Sequence, residues 1–228
     1  WPTGKNQQAD KNYNLGLMSE FTSILVTNSV FHPFIEQFNP PFLDSRFAQW
    51  RRIKYQFKVL QDIPKLKEVT FVFSHFIIPH EPYVFKKDGQ FLTKEEEKNL
   101  DFKIKYLNQL IYLNQELQNL ISNILISNNY SIIILQADEG PYPSAFEEHK
   151  NTFDWTKASK KDVNMKMSIL NSVYFPDLNY SSLNTVSSPV NTFRLVFNQY
   201  LGYNFDLLDE RYFMGNMSFP SKLLEVKK

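Results

Sequence analysis

A run of apolar residues from Val69 to Ile78 constrains the fold more than any other segment of the sequence. Its residues are β-branched or aromatic almost throughout. A strand with one face in solvent alternates apolar and polar residues, whereas a strand covered on both faces is apolar along its whole length. The run therefore predicts a strand buried on both faces, as in a parallel sheet, which ends at Pro79.

The segment that follows predicts a helix and then a second strand. Apolar residues recur at three- and four-residue steps over residues 94–127, which is the pattern of an amphipathic helix. Asn128 ends this helix, and residues 132–135 are wholly apolar. Strand, long helix and strand form a βαβ unit with a right-handed crossover. With a third strand predicted over residues 167–175, the fold class is α/β, a mostly parallel sheet flanked by helices.

Capping residues and apolar spacing predict the remaining elements. A helix is expected from Glu20 to about Phe31, and a second one begins at the N-cap Asp44 and closes at Pro64. The last helix begins at Ser188-Pro189 and stops at Gly202. The polar residues 142–165 are predicted to be irregular.

Composition excludes several classes of protein. The 228 residues suffice for a full hydrophobic core. They include no cysteine, which excludes a disulfide scaffold and any cysteine-ligated metal. A net charge of +1 argues against nucleic acid as a partner. No apolar run approaches the ~20 residues that span a bilayer. Because the chain begins at Trp1 without Met, we expect it to be processed or cut from a longer protein.

Reactive side chains follow two of the predicted strands. His80 comes after the first, with Glu81 and Tyr83 beside it, and Asp138-Glu139 comes after the second. Ligands of an open α/β sheet bind beyond the carboxyl ends of its strands. Two carboxylates and an imidazole there form a donor set for a divalent cation. The alternative is a plain turn in which Asp138 caps backbone amides.

Three segments carry a resemblance to a known family. Residues 71–85 contain the pattern H-x-x-x-P-H-x-P-Y-V-F, residues 134–141 read ILQADEGP, and residues 187–194 read SSPVNTFR. In this order and spacing they resemble motifs of the bacterial sulfatase-like membrane proteins of the alkaline phosphatase superfamily. With weaker similarity in the connecting regions, the resemblance covers nearly the whole chain.

The resemblance implies a fold and an activity. The fold is that of alkaline phosphatases and sulfatases. The activity is metal-dependent hydrolysis or transfer of a phosphate or sulfate ester at a membrane or cell envelope, on the extracytoplasmic side of a bacterial membrane. Family members use a Thr, Ser or formylglycine nucleophile bound to a divalent metal. Their membrane-spanning helices precede this domain.

The resemblance also implies a role for the acidic pair. Asp138 matches a metal ligand of the family, whereas Glu139 stands where the family has a histidine. Glutamate suits a hard cation such as Mg²⁺ or Mn²⁺ better than Zn²⁺. The identity of the ion, among Mn, Mg, Ca and Zn, stays open.

The remaining implied residues would contact an anionic substrate. His80 matches a histidine that contacts the anionic oxygens, where an imidazolium neutralises developing charge. His75, Tyr83 and Arg194 are further candidates for the same pocket. His75 has a second interpretation as a histidine of the core, and Arg194 has one as an ion-pair partner of a neighbouring loop.

The nucleophile and the first acidic ligand of the family precede the matched segments. Residues 1–68 are predicted as loop and helix and supply neither. We therefore expect one sulfatase-like domain portion over residues 1–228 that lacks its N-terminal half and is inactive by itself. It would consist of a connecting region (1–68), a core with the motifs (69–202) and a tail (203–228).

One alternative is a degenerate, non-catalytic sulfatase-like module for binding or assembly, which Glu139 motivates. A plain α/β interaction domain is the other, so enzymatic activity stays open.

Overall fold

A computed structural model of the chain describes residues 6–15, 25, 28–30, 44–128, 130–150, 152–185, 188–216 and 219–226. The chain divides into two compact units, Trp1–Asn129 and Tyr130–Lys228, each of which is considered by itself. The molecule is a mixed α/β protein. The helix predicted from Glu20 to Phe31 lies largely outside the described residues.

The first helix of the first unit, α1, spans Ser45–Asp62. The carboxylate of Asp44 accepts hydrogen bonds from the backbone N–H groups of Arg46 and Phe47, so the predicted N-cap is confirmed. A 3₁₀ turn, Ile63–Lys65, ends the helical segment at the predicted proline.

The single helix predicted over residues 94–127 is two helices. Helix α2 spans Lys94–Lys98 and α3 spans Phe102–Ser127. The carboxylate of Asp101 accepts a hydrogen bond from the backbone N–H of Lys103 at 2.8 Å, which starts a new helix after a short break. Apolar spacing does not register such a break, because the capping residues are polar. The predicted end at Asn128 is confirmed.

The predicted strand over residues 69–78 is wrong. These residues form no strand in the described part of the chain. Val69, Phe71 and Phe73 are 108%, 79% and 76% exposed, the opposite of burial on both faces. A strand exists only through hydrogen bonds to a neighbouring strand, and an apolar run is evidence of a tendency alone.

Side chains of α1 contact the last part of this run. Gln49 Nε2 donates to the carbonyl oxygen of Ile77 at 3.2 Å, and Gln56 Nε2 donates to that of His75 at 2.8 Å. The ring of Phe57 stacks on Phe76 with 4.6 Å between their centroids. The run therefore becomes attached to the unit only towards its C-terminal end.

Arg46 fixes the chain that follows. Its Nη2 donates to the carbonyl oxygens of Tyr83 and Leu92 at 2.8 and 2.9 Å, and its Nη1 lies 2.6 Å from a carboxylate oxygen of Glu97. The side chain is buried. One guanidinium thus joins α1, both arms of the turn over residues 83–92, and α2.

The core of the first unit lies between α1, α3 and this turn. The ring of Phe85 stacks on Tyr112 of α3 at 4.4 Å between centroids. The fully or almost fully buried apolar side chains are Ile53, Phe57, Val84, Phe85 and Leu92.

The second unit contains two small antiparallel sheets. Strand β1, Ile133–Gln136, confirms the predicted apolar strand and pairs antiparallel with β2, Asn171–Tyr174. Gln136 lies opposite Asn171. All strand pairs of the described residues are antiparallel, so the parallel βαβ unit is not found among them.

The segment between β1 and β2 was predicted to be irregular over residues 142–165, which is wrong. It contains α4 at Ser144–Glu148, a 3₁₀ turn at Trp155–Lys157 and α5 at Lys160–Met167. These elements are short, so they offer too few apolar positions to show a period. Helix α5 also occupies the first residue of the predicted third strand, which therefore begins later than expected.

The C-terminal part begins with a 3₁₀ turn, Pro189–Asn191, and continues as α6, Thr192–Tyr200. Gly202 has φ +71° just after α6, so the predicted stop is confirmed. Strands β3, Tyr212–Asn216, and β4, Phe219–Val226, form an antiparallel hairpin that was not predicted. Among the described residues, no helix combines the length and apolar character that crossing a bilayer requires.

Candidate functional site

The first candidate site is the loop over residues 79–82, called here the His80 loop. His80 is exposed, and its Nδ1 lies 2.6 Å from the carbonyl oxygen of Glu81. In the tautomer that forms this bond, Nδ1–H donates and the lone pair is on Nε2. The backbone contact thereby orients the ring and leaves Nε2 as the nitrogen that a ligand can reach.

Gln109 of α3 holds the His80 loop in place. Its Nε2 donates to the carbonyl oxygens of Pro79 and His80 at 3.1 and 3.2 Å, and its Oε1 accepts from the backbone N–H of Val84 at 2.8 Å. The residue is fully buried. Sequence reasoning missed Gln109, although a glutamine on the apolar face of a helix, in phase with Leu113, was the available signal.

The other two candidate residues of the first unit, Tyr83 and His75, differ in their exposure to solvent. Tyr83 is buried, and its ring meets that of Phe102 edge-on at 5.8 Å between centroids. His75 is exposed, so its interpretation as a core histidine is wrong. Tyr83 thus lies beside the His80 loop as part of the packing, whereas His75 lies on the surface.

The second candidate site is the turn after β1. Asp138 and Glu139 are both exposed and lie two and three residues after the end of this strand. A carboxylate oxygen of Glu139, Oε2, lies 2.6 Å from Nζ of Lys166, and the hydroxyl of Tyr142 donates to the same oxygen at 3.3 Å. Nζ of Lys166 also lies 3.2 Å from the centroid of the Tyr142 ring. Glutamate, lysine and tyrosine therefore form one compact group, called here the Lys166 cluster.

A close backbone approach builds this cluster. The N–H of Gly140 donates to the carbonyl oxygen of Lys166 at 2.8 Å. A Cβ atom at position 140 would lie 2.4 Å from the carbonyl oxygen of Met165 and 2.7 Å from that of Lys166, closer than real contacts allow. Only glycine lets the turn come this near to the end of α5, which brings Glu139 against Lys166.

Burial governs the ionisation of the cluster. It lowers the pKa of Lys166, while the carboxylates of Glu139, Asp138 and Glu147 act in the opposite direction. Burial also raises the pKa of the Tyr142 hydroxyl, and the charge of Glu139 adds to the effect. Nζ of Lys166 is shielded from solvent and forms no well-aligned hydrogen bond, so its contact with Glu139 is an ion pair.

The resemblance calls for a divalent metal at this turn, and the side chains do not fit one at Glu139. The described residues contain no group of three or more His, Asp or Glu placed to hold an ion. The Glu139 oxygen already has an ammonium at 2.6 Å. At an effective dielectric constant of about 20, unit charges 4 Å apart interact by roughly 4 kcal/mol, so a second cation there would be strongly repelled.

Arg194, the last predicted residue, lies on α6 and contacts a neighbouring loop. Its Nη1 donates to the backbone carbonyl oxygen of Asp206 at 3.0 Å, and its guanidinium lies 6.0 Å from the Phe205 ring. The predicted loop contact is present, although its acceptor is a carbonyl group rather than a carboxylate.

Two of the three segments that carry the resemblance meet in the second unit. Nε2 of Gln136, two residues before Asp138, donates to the hydroxyl of Thr192 at 2.7 Å and to Oδ1 of Asn171 at 2.8 Å. Thr192 is buried. The His80 loop belongs to the first unit and the Asp138 turn to the second. No family model, curated protein or solved structure matches the chain.

Proposed function

We propose that this chain is the C-terminal portion of a sulfatase-like domain that recognises an anionic phosphate or sulfate ester through the His80 loop. The observation that carries the proposal is the fixed imidazole: the Glu81 carbonyl orients the ring, and buried Gln109 holds the loop beneath it. A protonated imidazole presents Nε2–H to an anionic oxygen and neutralises its charge.

The order of the three motif segments supports the same proposal, as does the bond between Gln136 and Thr192 that joins the second segment to the third. The finer fold that we propose is the mostly parallel sheet of alkaline phosphatases, flanked by helices. The longer protein would act as a metal-dependent ester hydrolase or transferase at the extracytoplasmic side of a bacterial membrane. Asp138 would contribute to its metal site, and its nucleophile would come from outside these residues.

Binding of phenyl phosphate and phenyl sulfate, followed by isothermal titration calorimetry at pH 6, tests the role of the His80 loop. We expect His80→Ala to weaken binding at least tenfold, which corresponds to about 1.4 kcal/mol. His149→Ala, which removes another exposed histidine, is the matched control and should bind like the wild type. Equal binding by wild type and His80→Ala would contradict the proposal, as would no binding by either.

A second candidate function is a non-catalytic sulfatase-like module for binding or assembly. The ion pair between Glu139 and Lys166 favours it, because the carboxylate that replaces the family's histidine is already neutralised within the protein. Both candidates predict that this chain alone turns over no aryl phosphate or sulfate. Turnover by the purified chain that is lost in Asp138→Ala would contradict both and would make the chain a catalytic unit by itself.

A further inference from the structure

We infer that Lys166 is the resident cation of the turn after β1, and that its ammonium closes Glu139 to divalent metal ions. The inference concerns the charge balance within the second unit. It does not depend on ester binding at the His80 loop, which belongs to the first unit.

The ammonium group of Lys166 lies where a metal ion bound to Glu139 would have to be. Nζ of Lys166 lies 2.6 Å from Oε2 of Glu139, and it lies 3.2 Å from the centroid of the Tyr142 ring. Carboxylate oxygens bind Mg²⁺ or Ca²⁺ at about 2.0–2.6 Å, so the ammonium takes up the space that an ion at this oxygen would need. The Tyr142 ring gives the cation a second favourable contact through its π-electron face.

The second step is that the ammonium is anchored rather than one of many surface lysines. Lys166 is only 9% exposed, whereas Lys160 and Lys161 of the same helix are exposed. A surface lysine exchanges its carboxylate contact for water at little cost, whereas the loss of its nearest carboxylate is much more costly for a buried one.

The third step concerns the turn itself. The N–H of Gly140 is bonded to the carbonyl oxygen of Lys166, and the Cα of Gly140 packs against the last carbonyls of α5. The main chain of Glu139 is therefore held beside the end of α5, within reach of the Lys166 side chain. The ion pair between Glu139 and Lys166 is therefore one of the contacts that join the turn to α5.

Titration with Mn²⁺ at pH 7, followed by the electron paramagnetic resonance signal of the free ion, tests the inference on the full chain. For the wild type we expect no binding that depends on Glu139, so Glu139→Gln should leave the titration unchanged. Lys166→Met keeps the length and apolar stem of the side chain but removes the charge. We expect it to bind Mn²⁺ at least tenfold more tightly than the wild type, and the double variant Lys166→Met/Glu139→Gln to lose this gain.

Two controls keep the test decisive. Lys161→Met removes an exposed lysine of the same helix and should bind Mn²⁺ like the wild type. Lys166→Arg retains the positive charge and should likewise bind Mn²⁺ no more tightly than the wild type. Circular dichroism checks that each variant folds. If Lys166→Met does not fold, Mn²⁺ binding by the wild type that Glu139→Gln weakens would still overturn the inference.

Two results would overturn the inference. One is Mn²⁺ binding by the wild type that Glu139→Gln weakens tenfold. The other is a folded Lys166→Met variant that binds no more tightly than the wild type. Because the probe is the metal alone, a failure of ester binding would leave the Mn²⁺ result unaffected, and the two proposals fail separately.

Discussion

At the scale of single residues, a buried glutamine holds the loop that carries His80, an exposed candidate side chain of the first unit. Gln109 donates from its Nε2 to two carbonyl groups of the His80 loop and accepts at its Oε1 from the backbone N–H of Val84, although it lies 25 or more residues further along the chain. A buried amide that forms three hydrogen bonds stabilises its surroundings mainly because removing it leaves their polar groups unpaired.

We predict that Gln109→Met lowers the free energy of unfolding by about 2–3 kcal/mol, since the Val84 N–H and two carbonyl groups lose their partner. Urea denaturation followed by circular dichroism measures the change. Gln118→Met on the exposed face of the same helix is the control and should change stability by less than about 0.5 kcal/mol. Equal midpoints for the two variants would contradict the role given to Gln109.

Asp154 provides a pH-dependent contribution in the second unit. Its carboxylate accepts hydrogen bonds from the hydroxyl and backbone N–H of Thr156 at 2.7 and 3.0 Å, and from Nδ2 of Asn216 at 2.8 Å. These bonds lower the pKa of Asp154 to about 2. The unfolded chain therefore takes up a proton at higher pH than the folded chain does.

The stabilisation from Asp154 is complete above its unfolded pKa of about 4 and is lost as the pH falls towards 2. We predict that the thermal midpoint falls less between pH 5 and pH 2.5 in Asp154→Asn than in the wild type. Asp10→Asn, which replaces an exposed aspartate outside this group of bonds, is the control and should retain the wild-type slope. Parallel pH profiles for wild type and Asp154→Asn would show that these bonds do not favour the ionised carboxylate.

At the scale of secondary structure, the turn at Gly140 depends on the absence of a side chain. Its backbone contacts the last carbonyls of α5 too closely for a Cβ atom. Because main-chain atoms stand on both sides of the contact, neither side can adjust by changing a rotamer.

We predict that Gly140→Ala lowers the free energy of unfolding by about 1–3 kcal/mol, because the turn must move away from α5. Thermal and urea denaturation measure this loss. Ser144→Ala, at the exposed start of α4, is the control and should have little effect. If Gly140→Ala were as stable as the wild type, the close approach of the turn to α5 would be disproved.

The sequence correctly predicted helix ends that depend on residues close by in the chain. Asp44 caps α1 and Gly202 follows α6 because each satisfies a backbone requirement within a few residues. The strand over residues 69–78 and the parallel direction of β1 were not found, since pairing depends on distant chain. The partners of Lys166 and Gln109 are also distant in sequence, so the sequence placed Asp138 and His80 but did not show what holds them.

At the scale of the whole molecule, the exposed apolar run is the largest departure from expectation. Exposed apolar side chains in extended chain are a template for association between copies, because a second copy can bury them. Val69 and Phe73 project from this run into solvent.

We predict that the double variant Val69→Lys/Phe73→Lys reduces concentration-dependent association, measured by static light scattering, and leaves the urea midpoint unchanged. A charge-matched control replaces Gln115 and Gln118, two exposed polar residues of α3, with lysine. If the control reduces association equally, net charge rather than the apolar run is responsible. A fall in the urea midpoint of the double variant would show that these side chains stabilise the fold.

The same run also bears on how the molecule is digested. Cleavage by a protease needs several consecutive residues that are accessible in an extended form, a condition that helical and tightly packed residues fail until they unfold. Chymotrypsin cuts after aromatic residues, and Phe73 is accessible in extended chain, whereas Phe57 is buried on α1. An early cut after Phe73 would therefore separate α1 from α3 in the covalent chain while Arg46 and Gln49 still hold the two fragments together.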